Sequence, residues 1–464
     1  MMDYTDTIAA LSTPPGESGI AVIRMSGARA LDILDDVYRA MHGRRAGRKW
    51  AHRRLYHGRI VGARGEPIDE VMCAVMRAPD TYTGEDVVEV SCHGGSEVVT
   101  AVLRALYGRG ARPAEPGEFT KRAFLNGKMD LIQAEAVADL IHARTELQRQ
   151  VAHEQLSGGL SRSIDSLADE MLELLGVIEA NIDFVDEDID AFDREAAGVR
   201  LEGHRGTLER LLASAAFSRP FREGYRVAVV GPVNAGKSSI FNRLLGESRA
   251  IVTEIPGTTR DILREPIVIE GLLFVLHDTA GLRGETGDRV ESIGVNRANE
   301  AVQTADLVLF VVDATQPPSD DAVARIRELD PRKSLLVLNK IDLLEPEGSR
   351  TLHALSTEIG NVRVSAETGE GFAALKQEIV RIVAGGVSDR VARERIVLNA
   401  RLSSLLGAAS ERVAALKAGV EGNEPLEILA LEARAVLECY EEATGRRYHA
   451  GLLDVIFSRF CVGK

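Results

Sequence analysis

Apolar residues along the chain change their spacing from one stretch to the next, and each change marks a change of structure. Up to about residue 120, short β-type runs alternate with Gly/Pro turns, as in GIAVIRM from Gly19 to Met25 and DVVEVS from Asp86 to Ser91. From about Gln133 to Ala215, Gly and Pro thin out. Ile164, Leu167, Met171, Leu174, Ile178 and Ile182 then recur at helical spacing, which predicts a helix with one core-facing stripe. Tyr225 opens an alternation of strand-like and helical stretches, the strand-like runs being RVAVVG, LLFVLHD, DLVLFVVD, SLLVLNK and NVRVSA. That alternation predicts a mostly parallel sheet covered by helices. After about Arg390 helical spacing returns with Leu402, Leu405, Ala409, Val413 and Leu416. Helical segments on both sides of an α/β unit predict an insertion, because insertions succeed where chain termini lie close together at a surface.

Composition narrows the class without naming a chemistry. The 464 residues suggest roughly three domains, and 45% hydrophobic residues are ample for packed cores. No apolar run is long enough to span a bilayer, and the start MMDYTDTIAALSTPPG lacks the pattern of a secretory signal. Cys73, Cys92, Cys439 and Cys461 form no CxxC pair, so neither a zinc site nor a disulfide framework is expected, and a reducing cytoplasm is the natural setting. A formal net charge of −14 makes the chain a poor general binder of nucleic acid. Any RNA contact needs a local basic patch. The stretch Arg44 to Arg59 offers Arg45, Lys49, Arg53 and Arg54 with Trp50 and Tyr56 interleaved, although a solvated loop and edge strand is the plainer reading.

The chemistry enters at strand ends. Residues 231–238 read GPVNAGKS, a full G-x-x-x-x-G-K-S between the strand RVAVV and the helix SIFNRLL. Such a loop wraps phosphates with backbone N–H groups and leaves no room for side chains at its glycines. Asn234, Ala235, Gly236, Lys237, Ser238 and Ser239 are therefore candidate nucleotide contacts, with Lys237 on the β/γ-phosphates and Ser238 on magnesium. Asp278-Thr279-Ala280-Gly281 ends the next strand, where an aspartate can hold magnesium through water and a glycine N–H can sense the γ-phosphate. Asn339-Lys340-Ile341-Asp342 ends another. The Asp342 carboxylate can accept both N–H groups of the guanine edge, and adenine offers a different donor pattern. Ser365-Ala366 follows a further strand as the loop closing over the base. Four such elements in this order resemble the Ras-like GTPase superfamily. Leu282 follows DTAG where Ras-like proteins place a water-orienting glutamine, and leucine cannot orient water by hydrogen bonds.

The remaining motifs narrow the resemblance. IVTEIPGTTRD over 251–261 is typical of a broad group of bacterial-type GTPases, including those that assemble ribosomes. The N-terminal part carries TPPGESGIAVIRMSG, YTGEDVVEV, HGG and AEPGEFTKRAFLNGKMDLIQAEAV, and the C-terminus reads IFSRFCVGK. Together these resemble the MnmE (TrmE) family of tRNA modification GTPases over nearly the whole chain. The resemblance implies an α/β and α+β multidomain protein. Its parts would be an N-terminal α+β folate-binding and dimerisation domain (1–122), a helical domain in two pieces (123–220 and 386–464) and an inserted Ras-like P-loop GTPase domain (221–385). It implies GTP hydrolysis coupled to addition of an aminomethyl or carboxymethylaminomethyl group at C5 of wobble uridine. It also implies a homodimer that joins the flavin-dependent MnmG (GidA) in a heterotetramer acting on tRNA. A 5-formyl- or methylene-tetrahydrofolate would be the one-carbon source, with FAD and NADH on the partner; no G-x-G-x-x-G fingerprint follows a strand here.

Residue by residue, Arg24, Glu89, Lys128 and Lys464 match the family's folate-contacting positions, and Cys461 fills its cysteine position as a nucleophile or carrier. A small residue packed near a terminus is the plainer reading of Cys461. Asn234 matches an asparagine that coordinates K+. Thr253, Glu254, Ile255, Pro256, Gly257 and Thr258 would complete that cage, with Thr253, Ile255 and Thr258 as further potassium ligands, and Thr259 would reach Mg2+ together with Ser238. Glu291 matches the catalytic glutamate, after a loop one residue longer than in relatives. The chain departs from the family's pattern at Ser91, at Leu402 and over Arg446 to Gly451. A ribosome-associated or regulatory GTPase switch remains the competing reading, although a switch needs neither the folate block nor the terminal tail.

Overall fold

The computed structural model describes residues 6–41, 50–183, 192–213, 218–248, 264–278, 301–344, 359–385, 396–458 and 460–464. The chain forms two compact units. One comprises Met1–Ala138, Gln155–Phe192 and Glu424–Lys464; the other comprises Asp139–Glu154 and Asp193–Asn423.

The first unit is built on a seven-stranded sheet: β1 (Thr7–Leu11), β2 (Ser18–Ser26), β3 (Tyr38–Ala40), β4 (Arg54–Val61), β5 (Pro67–Met76), β6 (Val87–Gly94) and β7 (Ala111–Pro113), in the order β3-β4-β5-β6-β2-β1-β7. Alternation puts Ile23, Met25, Val71, Cys73, Val75, Val88 and Val90 on one face. Helices α1 (Ala30–Val37) and α2 (Ser96–Tyr107) cover that face through Ile33, Leu34, Val102 and Leu106. Trp50 and Tyr56 join this core, 4% and 8% exposed. Trp50 is edge-on to Tyr38 and Tyr56, and its indole N–H donates to Asp35 Oδ1 at 2.9 Å. Neither ring is left for a base to stack on. Strand β4 is also internal to the sheet, the edge beside it being the short β3. Residues 42–49 of the basic stretch lie outside the described residues.

Beyond the sheet follow α3 (Glu118–Leu125), α4 (Leu131–His142), α5 (Glu146–Leu156), most of which belongs to the second unit, and α6 (Gly159–Asp183). The expected stripe on α6 is buried at Ile164, Leu167, Met171, Leu174 and Ile178, against the helix Leu426–Thr444. Ion pairs Arg434–Glu179 and Arg446–Asp165 lie along that contact. Arg446 thus has a structural partner, and Tyr448 meets the Phe124 ring edge-on at 5.3 Å.

The second unit carries α7 (Arg194–Leu212), α8 (Ser218–Glu223), β8 (Tyr225–Val230), α9 (Lys237–Ser248), β9 (Arg264–Ile269), β10 (Leu272–Asp278), β11 (Leu307–Asp313), β12 (Ser334–Asn339) and β13 (Gly360–Arg363). Its sheet order is β13-β12-β11-β8-β10-β9. Every pair is parallel except β9–β10, so five strands deliver their C-terminal ends to the same edge. Strands buried on both faces, such as LVLFVVD and SLLVLN, read as unbroken apolar runs for that reason. Helix α7 packs along the helix Ala400–Glu421. Asn399 caps the latter by accepting from the Leu402 N–H at 2.8 Å, and Leu402 is buried, so this departure from the family pattern is filled by a core residue. Leu406 is fully buried in that helix where the expected stripe counted Leu405, which is only half-buried.

Candidate nucleotide site and C-terminal tail

The phosphate loop follows β8 and ends in the first turn of α9, as expected. Gly231 has φ 142°, and a Cβ there would stand 2.1 Å from Val311 O. Gly236 has φ 92°, and its Cβ would stand 2.1 Å from Asn339 Nδ2. Both positions exclude side chains by contact as well as by conformation. Asn234 adopts φ 63°, a left-handed conformation that asparagine tolerates better than most residues. Ala235 is buried, and Ser238 and Ser239 are exposed at the start of α9. The Lys237 ammonium donates to Pro232 O at 2.7 Å, within its own loop.

Asn339 ties this loop to the base side of the site. It is 2% exposed, its Nδ2 donates to Ala235 O at 2.9 Å, and its Oδ1 accepts from the Ala366 N–H at 3.0 Å. One amide thus holds two loops separated by more than a hundred residues in sequence, and both halves of it are satisfied, as a buried amide requires. Lys340 takes φ 67° and its ammonium meets Asp313 Oδ2 at 2.6 Å. Asp313 also accepts from the Thr315 N–H at 2.9 Å and the Thr315 hydroxyl at 2.6 Å. Burial alone would raise the Asp313 carboxyl, but the bonds from Lys340 and Thr315 outweigh it and leave the group below its ordinary range. Asp342 is exposed on the short 3-10 turn after Lys340, free of the core and open to a base edge.

The Ser365-Ala366 loop is pinned from beneath. Ser365 is fully buried, and its hydroxyl oxygen accepts from the Thr368 N–H at 3.0 Å. Arg243 of α9 donates to Ala366 O and Glu367 O at 2.9 and 3.0 Å. Asp278 lies at the C-terminal end of β10, paired in register with Val229 and so beside the phosphate loop. Thr253, Glu254, Ile255, Pro256, Gly257, Thr258, Thr259, Thr279, Ala280, Gly281, Leu282 and Glu291 lie outside the described residues. Sequence reasoning passed over Asp313 and Arg243. Asp313 could have been noticed, since it ends β11 as Asp278 ends β10 and Asn339 ends β12. Arg243, in mid-helix, carries no such signal.

Arg24, Glu89, Lys128 and Lys464, the residues expected to contact folate, belong to the first unit. Arg24 and Glu89 are cross-strand partners on β2 and β6. The Arg24 Nε and Nη2 both donate to Glu89 Oε1, at 2.9 and 2.8 Å, and the guanidinium lies 5.4 Å from the Tyr82 ring centre and 5.7 Å from that of Phe119. Lys128 donates to Pro79 O at 3.0 Å. The C-terminal tail docks on the same unit. Ser12 Oγ donates to Gly463 O at 3.2 Å across 451 residues of chain, the Gly117 N–H donates to Cys461 O at 3.3 Å, and Pro116 bridges Val462 in antiparallel fashion. The Cys461 thiol is exposed and forms no disulfide, and Lys464 is half-buried. The EPGEFTKR block supports this arrangement. Glu118 and Arg122 are 2% and 1% exposed, and Arg122 binds Asp6, Glu85 and Glu118 while Arg112 adds a second bridge to Glu118.

A mostly parallel sheet with a phosphate loop after the internal strand β8, and the Asn339-Lys340-Ile341-Asp342 and Ser365-Ala366 loops after β12 and β13 on one side of it, defines a P-loop GTPase domain of the Ras-like fold. Comparison with known proteins gives the family. The TrmE N-terminus family of GTP-binding proteins matches residues 7–128, and the MnmE helical domain matches residues 131–461. The tRNA modification GTPase MnmE of Natranaerobius thermophilus is 42% identical over 460 residues, spanning 99% of both chains. Those of Symbiobacterium thermophilum and Thermotoga maritima are 43% and 41% identical over 465 and 464 residues, covering 99% of this chain and 99% and 100% of theirs. The chain belongs to the MnmE (TrmE) family of tRNA modification GTPases.

Proposed function

We propose that this chain is the GTP-hydrolysing subunit of a tRNA-modifying complex. The complex adds an aminomethyl or carboxymethylaminomethyl group at C5 of wobble uridine, with a flavin-dependent MnmG-type partner, in the cytoplasm. A tetrahydrofolate derivative donates the carbon, held by Arg24, Glu89, Lys128 and Lys464. The observation that carries this reading is the docked tail. It lays Cys461 and Lys464 against the unit that holds Arg24 and Glu89, an arrangement a simple nucleotide switch does not need. Arg24 and Glu89 already orient each other. A pterin edge can donate to Glu89, and the ligand's carboxylates can meet Lys128 or Lys464. Among the described residues no helix is long and apolar enough to cross a membrane. Nucleoside analysis of tRNA from cells lacking the protein tests the proposal; unchanged wobble uridines would refute it.

On the nucleotide side, Asp342 selects guanine and Lys237 moves from Pro232 O to the phosphates. The exposed Ser238 and the neighbouring end of β10 at Asp278 suit magnesium, which would offset phosphate charge. The exposed left-handed Asn234 suits a potassium ligand, with Thr253, Ile255 and Thr258 completing the set and Thr259 joining Ser238 on magnesium. Leu282 cannot orient the attacking water, so Glu291 does so through a second water. GTP turnover in potassium against sodium at equal ionic strength checks this part. Stimulation by potassium is expected, with its loss in Asn234→Ala and slow turnover with retained GTP binding in Glu291→Ala. Equal rates in the two salts would remove the potassium arrangement.

A further inference from the structure

Arg243 sits on α9 about two turns beyond the phosphate loop. Its Nη1 donates to two consecutive backbone oxygens, Ala366 O at 2.9 Å and Glu367 O at 3.0 Å. The guanidinium lies over the Phe372 ring, 5.5 Å from its centre. Gly369 closes over it with φ 89°, and a Cβ at that glycine would stand 2.3 Å from Arg243 Nη2. The loop is therefore shaped around this side chain. Peptide planarity gives the contact a consequence. In a trans peptide the C=O of one residue and the N–H of the next point in opposite directions. Holding Ala366 O and Glu367 O on α9 turns the N–H groups of Glu367 and Thr368 away from it. The Thr368 N–H is taken by Ser365 Oγ and the Ala366 N–H by Asn339 Oδ1.

We propose that Arg243 is a positioning residue for guanine selection: by holding Ala366 O and Glu367 O it aims the backbone N–H of Glu367 at the oxygen edge of the base. This rests on the guanine reading by Asp342. A guanine offers its donors to that carboxylate, and its neighbouring oxygen then needs a donor. Adenine carries an amino group there, which would face an N–H and leave both unpaired. Arg243 links this reading to the helix that follows the phosphates, so base and phosphate recognition share one support.

The test uses the full chain with Arg243→Met, which keeps an apolar stem over Phe372, and Arg243→Lys, whose ammonium can reach both carbonyls. Release of a fluorescent GDP is followed by stopped flow, and GTP, ATP and ITP compete for the site. With charge-assisted bonds lost, Arg243→Met should release GDP about tenfold faster and lose about tenfold of its preference for GTP over ATP. Its preference for GTP over ITP, which lacks only the amino group read by Asp342, should stay within about twofold of wild type. Arg243→Lys should recover most of both losses. Wild-type release and selectivity in Arg243→Met would overturn the proposal, and so would a lysine variant as impaired as the methionine one. If Arg243→Met fails to fold, the lysine variant decides alone: retained GTP-over-ATP preference supports the proposal, and a preference lost as for an unanchored loop overturns it. Asp342→Asn separates the two claims. If it keeps tight GTP binding with no shift toward xanthosine nucleotides, the guanine reading falls; if it shifts, a negative result at Arg243 falls on Arg243 alone.

Discussion

Asn339→Ala should loosen the nucleotide domain at one point and weaken it throughout. The amide makes two hydrogen bonds, to Ala235 O and from the Ala366 N–H, and it is almost fully buried. Its removal forfeits both, at about 1 kcal/mol each, and leaves a buried carbonyl on Ala235 that costs a further ~1 kcal/mol or more. Ala366 is half-buried, so its N–H can recover a water and adds little. The sum is about 3 kcal/mol, which for a domain of 150–250 residues lowers the melting temperature by about 6–12 °C. The two loops also lose their tie, so GDP affinity should fall by about tenfold or more. Asn339→Asp is an informative companion. It keeps the acceptor for Ala366 but puts a carboxylate oxygen against Ala235 O, and should be at least as damaging. Thermal melts with and without saturating GDP, together with calorimetric titration of GDP, give both numbers. A melting shift below about 2 °C in Asn339→Ala would refute the reasoning, because it would mean the orphaned groups find partners at no cost.

Other consequences follow from the first unit. Gly463→Ala would place a Cβ 2.2 Å from Leu11 O at φ 94°, so the tail should undock and carboxypeptidase should release the last residues faster, with GTP binding unchanged. Equal digestion rates would show that the tail is held elsewhere. Glu118→Gln should destabilise this unit at neutral pH. Burial alone would raise the Glu118 carboxyl, but hydrogen bonds from Arg112, the Glu115 N–H and Arg122 bring it below its ordinary value. A depressed folded-state pKa contributes stability above the unfolded value of about 4 and loses it as pH falls through the folded value. The gap between wild type and Glu118→Gln in denaturant midpoint should therefore be widest near neutrality and close in acid; a constant gap would contradict the ion-pair account.

Much of the architecture was legible from local rules. A period of two or of 3.6 in apolar positions follows from strand and helix geometry, so the α6 stripe and the strands of the mostly parallel sheet could be read one segment at a time. The phosphate loop was legible for a related reason: a G-x-x-x-x-G-K-S spacing between a strand-like and a helical run marks it within one short stretch of chain. Trp50 and Tyr56, by contrast, stood in a basic stretch read most plainly as a solvated loop and edge strand, and only their packing into the sheet core, with Trp50 bonded to Asp35 of α1, shows them buried. The bond between Arg24 and Glu89 depends on β2 lying next to β6, and strand order is not written in periodicity. The same holds for Asn339 between two loops, Arg243 beneath the base loop, and the tail on Leu11, Ser12 and Gly117. Sequence by itself determined which residues form each element and which loop takes phosphate, because those choices depend on neighbours in the chain. Tertiary structure alone decided which elements meet, because contacts across hundreds of residues depend on how sheets and helices pack as whole surfaces.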